Sequence, residues 1–261
     1  MKPNLLRQRL QEGTIPVGHM VIEFGTRGLA KILESSKVDF VLLDMEHSGI
    51  ELERIADLIA WLKATPVTPI VRVPTCLYHF VARCMDAGAM GIMAPNVESA
   101  EQARSLVSSV KYAPQGRRGL GLGTAHNDYV APDSASYMNE ANANTSVICQ
   151  IESVTGVANL EEIAATPGVD VLWLGHFDLS SSMGIVGQFN HPEFVRALTR
   201  VPEIARRFGQ AAGIQPGTHE QAQAWMRLGY NVISMGSDIA IYSSALRDSI
   251  ASFRALAKLV S

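Results

Sequence analysis

The sequence is poor in cysteine: Cys76, Cys84 and Cys149 are the only three in 261 residues. An odd number without paired ligand spacing argues against a disulfide framework and against a cysteine zinc site. Charge is scarce as well, at 18% of residues with a net charge of −3. That balance gives no basic surface for nucleic acid or for an anionic membrane. No apolar run approaches the ~20 residues of a membrane span. The opening MKPNLLRQRLQEG is polar and amphipathic, without the apolar core of a signal peptide. These absences point to the cytoplasm and to a small-molecule partner.

What the chain does have is hydrophobic residues, 47% of the total, spread over short runs. Eight segments read as strands: 15–24, 38–44, 69–73, 91–94, 146–151, 169–174, 211–214 and 232–235. VDFVLLD is apolar nearly throughout, as strands covered on both faces are. Between them, helical periodicity marks 51–64, 79–87, 99–110, 157–166, 192–208, 218–228 and 242–260. The triplets DAG and RLG place glycine where a helix stops before the next strand. Strand and helix alternate without a linker, so the chain reads as α/β, a single (β/α)8 TIM barrel over residues 1–261. Residues 113–144 break the rhythm. So long a connection is read as a functional loop near a site, with a short helix at 135–142.

In such a barrel the chemistry sits at the carboxyl ends of the strands. The second strand ends in Asp44-Met45-Glu46-His47, and the third carries Arg72. The fourth runs into Pro95-Asn96, the fifth ends in Gln150-Ile151-Glu152, and the sixth runs into Gly175-His176-Phe177-Asp178. Glu152 and Asp178 stand on adjacent strand ends. Two carboxylates with open positions suit a hard octahedral cation such as Mg²⁺ or Mn²⁺; the alternative is that they cap the following helices. His47 beside two carboxylates is a candidate base. Arg72, a charge inside an apolar strand, needs a partner: either a salt bridge within the barrel or a developing oxyanion. His19 and His126 are further candidates for the pocket lining. The glycines of GLGLG at 119–123 do not follow a strand, which sets a nucleotide cofactor aside. None of Lys2, Lys31, Lys37, Lys63, Lys111 and Lys258 falls at a strand's carboxyl end, so a Schiff-base lysine is not expected.

Six segments in this order resemble the HpcH/HpaI aldolases, the metal-dependent class II pyruvate aldolases: LLDMEHSG, PIVRVP, DAGAMGIMAPNVESAEQA, GRRG, CQIES and LGHFDLSSSMG. The resemblance runs from about residue 16 to the last helix. It implies a barrel of the phosphoenolpyruvate/pyruvate-domain type. It implies cleavage of 4-hydroxy-2-oxo acids to pyruvate or hydroxypyruvate plus an aldehyde. Glu152 and Asp178 would hold a divalent metal, with Co²⁺ a third option beside Mg²⁺ and Mn²⁺. Arg72 would stabilise the enolate, and His47, oriented by Asp44, would be the base. Gln150 would help hold the ligand. The backbone amides of Gly175, His176, Phe177 and Asp178 would receive its carboxylate. Asp86 would reach a neighbouring subunit's site. The implied assembly is a homohexamer, a trimer of dimers that exchange C-terminal helices, for which the apolar face of 246–259 is suited. Met45, His19 and the pair His176-Phe177 depart from the family's usual glycine, aromatic residue and Pro-Ala, which leaves the substrate open.

Two other readings compete. A CoA-thioester lyase of the citryl or malyl type needs basic groups for coenzyme A, and no such patch stands out. A non-catalytic keto-acid-binding barrel would lack catalytic groups, whereas His47, Arg72, Glu152 and Asp178 are all present.

Overall fold

The computed structural model describes residues 1–259. Eight strands pair in parallel and in chain order into a closed barrel: β1 (Val17–Val21), β2 (Phe40–Asp44), β3 (Thr68–Arg72), β4 (Gly91–Ala94), β5 (Ser146–Ile151), β6 (Val171–Leu174), β7 (Ala211–Ile214) and β8 (Val232–Ser237). Helix α1 (Leu5–Gln11) precedes β1, α2 (Leu29–Ser35) follows it, and α3 (Leu52–Leu62), α4 (Tyr78–Ala87) and α5 (Ala100–Val110) follow β2, β3 and β4. Then come a 3₁₀ turn (Ala125–Asn127) and α6 (Ser134–Asn144) before β5, and α7 (Val154–Ala158) and α8 (Leu160–Ala164) after it. Helices α9 (His176–Ser182) and α10 (Pro192–Arg207) follow β6, α11 (His219–Leu228) follows β7, and α12 (Asp238–Ala257) follows β8. Among the described residues no helix is long and apolar enough to cross a membrane.

Strand residues alternate between two cores. Met20, Phe40, Leu42, Ile70, Met93, Ile148, Val171, Trp173, Ala211 and Val232 fill the barrel with Leu6 of α1 beneath them. Their neighbours, among them Val41, Leu43, Val71, Ile92, Cys149 and Leu172, pack outward under the helices. Gly18 and Gly213 lie where a Cβ would run into the rings of Phe40 and Trp173. The inward rows decide where the polar residues go. Leu42 is followed two positions on by Asp44, Ile70 by Arg72, and Ile148 by Gln150 and then Glu152. The period of two lifts these side chains to the carboxyl-end mouth.

The expected strands at 91–94, 146–151 and 211–214 have the observed bounds. The first is shorter than its apolar run, because Asp238 accepts the N–H groups of Ile22, Glu23 and Phe24 and draws them out of the ladder. The helix expected at 157–166 is two short ones broken at Asn159, whose side chain donates to Glu98 O. The C-terminal helix starts at Asp238 rather than 242 and ends at Ala257; the last residue of the expected span, Val260, lies outside the described residues.

The long connection runs beside α4, and the short helix expected in it at 135–142 is α6. Arg118 pairs with Asp86 at 2.7 Å near the end of α4, and Gly119 N donates to the Tyr78 hydroxyl at its start. Lys63, just past α3, donates to Ala125 O and Asp128. His126 is a loop anchor and not a pocket residue: its Nε2 donates to Gly121 O, and its Nδ1 accepts from the Tyr137 hydroxyl at 2.6 Å.

Candidate active site

Arg72 and Asp44 form the centre of the mouth. Both are buried, at 8% and 0% exposure. Arg72 Nε and Nη2 donate to the two oxygens of Asp44 at 2.8 Å each, a fork on a carboxylate. The adjacent strand positions impose this pairing, since Asp44 and Arg72 are register partners in the β2–β3 ladder. The third nitrogen, Nη1, lies 3.1 Å from Glu46 Oε2. That oxygen is buried and has no partner in hydrogen-bond geometry.

Asp44 does not orient the ring of His47. Its carboxylate accepts the backbone N–H groups of Glu46 at 3.0 Å and His47 at 3.3 Å, so it shapes the turn. The carboxylate beside the imidazole is that of Glu46, with Oε2 3.7 Å from His47 Nε2. The His47 ring is 60% exposed.

Glu152 is 3% exposed. Asn96 N donates to Oε1 at 2.7 Å and Gln150 Nε2 donates to Oε2. Asn96 sits at φ +50°, in the left-handed region that asparagine tolerates, and so aims its N–H at the carboxylate. A side chain at Gly175 would collide with Glu152 Oε2, so the β6–α9 turn can approach only as glycine. Burial raises the proton affinity of Glu152, its two hydrogen bonds oppose this, and the charges of Glu46 and Asp178 add to it. Glu46 is likewise raised, first by burial, with Arg72 and His47 opposing and Asp44 and Asp178 adding.

Asp178, exposed, stands in the first turn of α9. His176 is buried against the rings of Phe177 (4.6 Å), Phe189 (5.1 Å) and Trp225 (5.2 Å). Burial pushes its imidazole pKa down to about 4, so it is uncharged at neutral pH. A cavity of about 290 Å³ opens here, bordered by Arg72, Gln150 and the turn Gly175, His176, Phe177 and Asp178. Trp173, Leu42 and Met93 line it from the barrel interior, and Gln215 and Ser237 from the ends of β7 and β8. Glu152 stands directly behind Gly175, and His47 lies beyond the lining. His19 does not line it either: it lies between the inward positions Gly18 and Met20, and its Nδ1 meets Met235 O at 3.1 Å.

Among the described residues no three His, Cys, Asp or Glu side chains converge on one point. A cation here would be held by two carboxylates, with the rest of its shell from water and ligand oxygens, which suits a hard divalent ion. The residues fit such a group. Burial raises the proton affinity of Glu152 and of Glu46, the charge of Asp178 adds to both, and Glu46 Oε2 is a buried oxygen without a hydrogen bond. Sequence reasoning had named Glu46 only as one of two carboxylates beside His47 and Asn96 only as following the fourth strand, and had not assigned Trp173, Gln215 or Ser237. Only the DMEH tetrapeptide carried a signal for Glu46; the others depend on backbone conformation or barrel curvature.

The family model of the HpcH/HpaI aldolase/citrate lyase family matches residues 24–245. The chain is 36% identical to 2-dehydro-3,6-dideoxy-6-sulfogluconate aldolase of Pseudomonas putida, over 90% of this chain and 91% of that protein. It is 35% identical to hydroxypyruvate/pyruvate aldolase of Chromohalobacter salexigens, over 88% and 91%. Its fold superposes on the crystal structure of an HpcH/HpaI aldolase from Desulfitobacterium hafniense with a TM-score of 0.91 and 29% identity, covering 95% of this chain and 96% of that one.

Proposed function

The chain belongs to the HpcH/HpaI aldolase/citrate lyase family and is a carbon–carbon lyase of the aldolase type, and from that premise we propose how its residues divide the reaction. The substrate class is a 4-hydroxy-2-oxo acid, split into pyruvate or hydroxypyruvate and an aldehyde. The observation that carries the assignment of roles is the Arg72–Asp44 fork at the edge of the cavity, beside the Glu152 and Asp178 carboxylates.

Glu152 and Asp178 would hold the divalent ion, Mg²⁺ or Mn²⁺ with Co²⁺ as the third option, and that ion supplies Lewis-acid polarisation of the keto group. Gln150 and Asn96 fix the Glu152 carboxylate by one hydrogen bond to each of its oxygens. Backbone N–H groups of the turn from Gly175 to Asp178 receive the substrate carboxylate. Arg72, locked by Asp44, keeps an N–H for the keto oxygen as it gains negative charge on the way to the enolate. His47, with the Glu46 carboxylate 3.7 Å from its Nε2, is the base that takes the proton of the C4 hydroxyl. The apolar cavity wall, with Trp173 and Phe177, keeps water from the enolate.

The assembly belongs to the same proposal. Helix α12 is 20 residues long, and Asp238 is its only buried residue. Ile241, Leu246, Phe253 and Leu256 are 47–70% exposed. Exchange of this helix between two copies, and three such pairs to a hexamer, is the arrangement that gives those side chains a partner.

The test is release of pyruvate or hydroxypyruvate from a panel of 4-hydroxy-2-oxo acids, before and after EDTA, with Mn²⁺ or Mg²⁺ added back. We expect release that EDTA abolishes and the metal restores. Release that survives thorough metal removal would overturn the metal role. No release from any member of the panel would overturn the substrate class.

A further inference from the structure

The lower face of the barrel, opposite the mouth, has a cavity of its own, of about 120 Å³. It lies below β3 and β4, between the ends of α3 and α4, where Pro69, Met85 and Met90 give it apolar walls. The side chains of Lys2, Lys63, Arg118, His126 and Asp128 complete the lining, so three cationic side chains face one carboxylate.

Arg118 sets the character of the place. Its side chain is 2% exposed, Nη2 is bound to Asp86, and the guanidinium lies over the Tyr112 ring at 4.6 Å. Its Nε is buried and has no acceptor. The Tyr112 hydroxyl under the guanidinium and the Asn127 amide nitrogen beside His126 are also buried without a partner. Buried donors without acceptors are rare in folded proteins because each loses its water for nothing in return. The lysines add charge. Lys2 directs Nζ at the carbonyls of Leu62, Thr65 and Val67, and so acts through charge alone. Lys63 bonds to Ala125 O and Asp128 and retains one N–H. His126 is a neutral wall, since both ring nitrogens are engaged.

We infer that this cavity is a binding site for a small tetrahedral oxyanion of the phosphate or sulfate type, held by Arg118 Nε and the remaining N–H of Lys63 in the field of Lys2. The volume admits an inorganic ion and leaves no room for a nucleotide. Occupation ties the loop 113–133, which carries Arg118, His126 and Asp128, to the ends of α3 and α4. The site is separate from the catalytic mouth and does not depend on the reading of the reaction.

The experiment uses the full-length protein with Mg²⁺ and pyruvate present, so that the catalytic cavity is filled. Thermal unfolding is followed against inorganic phosphate, sulfate and glycerol phosphate, with sodium chloride at matched ionic strength. We expect the Tm to rise saturably by about 3 °C with phosphate or sulfate. Tryptic cleavage after Arg117, on the exposed part of the loop, should slow in parallel. A response to glycerol phosphate as strong as to phosphate would point to an ester as the ligand, and a weaker one to the free ion. Arg118→Gln and Lys63→Gln, each compared with its own anion-free Tm, should lose the shift. The inference is overturned if chloride reproduces the rise, if no anion gives a saturable rise in the wild type, or if both variants keep the full shift.

Discussion

A carboxylate as deeply buried as Glu152 resists ionisation, and Glu46 and Asp178 increase that resistance. The sign follows from linkage. Between the ordinary carboxylate value of 4.5 and the raised one, the folded protein holds a proton that the unfolded chain has lost. Stability contributed by this group is therefore present below that window and lost as the pH rises through it. His176, lowered to about 4, works in the opposite direction, so the group must be isolated by difference. In metal-free protein, the Tm of Glu152→Gln minus that of the wild type should grow as the pH rises from about 4.5 towards neutrality. Saturating Mn²⁺ should reverse the sign, since only the wild type then has its ionised carboxylate stabilised. A pH-independent difference, or one that Mn²⁺ leaves unchanged, would contradict this account. The need of Arg72 for a partner was legible in the sequence, because a charge inside PIVRVP cannot stay buried unpaired; that the partner is Asp44 follows from the β2–β3 register. The partnership of His47 with Glu46 rather than Asp44 was not legible, because it depends on the course of one turn.

The strands carry the site through their period of two. Leu42 and Ile70 inside the barrel already imply that Asp44 and Arg72 emerge on the same side. Runs such as SVICQI and GIMA were legible because burial on both faces makes them apolar from end to end. The short helices α2 and α9 span seven residues each, less than two full turns at 3.6 residues per turn, and periodicity cannot mark so brief a stretch. Yet α9 delivers Asp178, and its entry at Gly175 decides how close the turn comes to Glu152. Gly175→Ala should leave the far-UV spectrum intact and weaken Mn²⁺ binding at least about tenfold, since the Glu152 carboxylate must move. Titration of the metal into the apoprotein measures it directly. Wild-type affinity in this variant would show that the close approach has no bearing on the cation.

Across the whole molecule, α12 differs from the other long helices: Asp238 is its one buried residue, while Ile241, Leu246, Phe253 and Leu256 stay exposed. Exposed apolar patches of this kind mark interaction surfaces, and the proposed exchange between two copies would cover this one. Replacing Phe253 and Leu256 together by glutamate should reduce the mass seen by light scattering to that of one chain or of a smaller assembly. An unchanged mass would remove α12 from the interface. The apolar face was readable from the last 20 residues, but its exposure was not, since amphipathic periodicity does not say which body covers a face. At the opposite end, α1 closes the barrel floor. Asn4 binds Met90 O and the Asn144 carbonyl, Arg7 binds Asp170 at 2.5 Å, and Leu6 fills the interior between them. Asn4 and Asn144 are 140 positions apart. On the ribosome the stopper is therefore synthesised long before the vessel it seals. It must wait undocked until β4 to β6 have emerged, which makes closure of the floor a late event in the birth of the molecule.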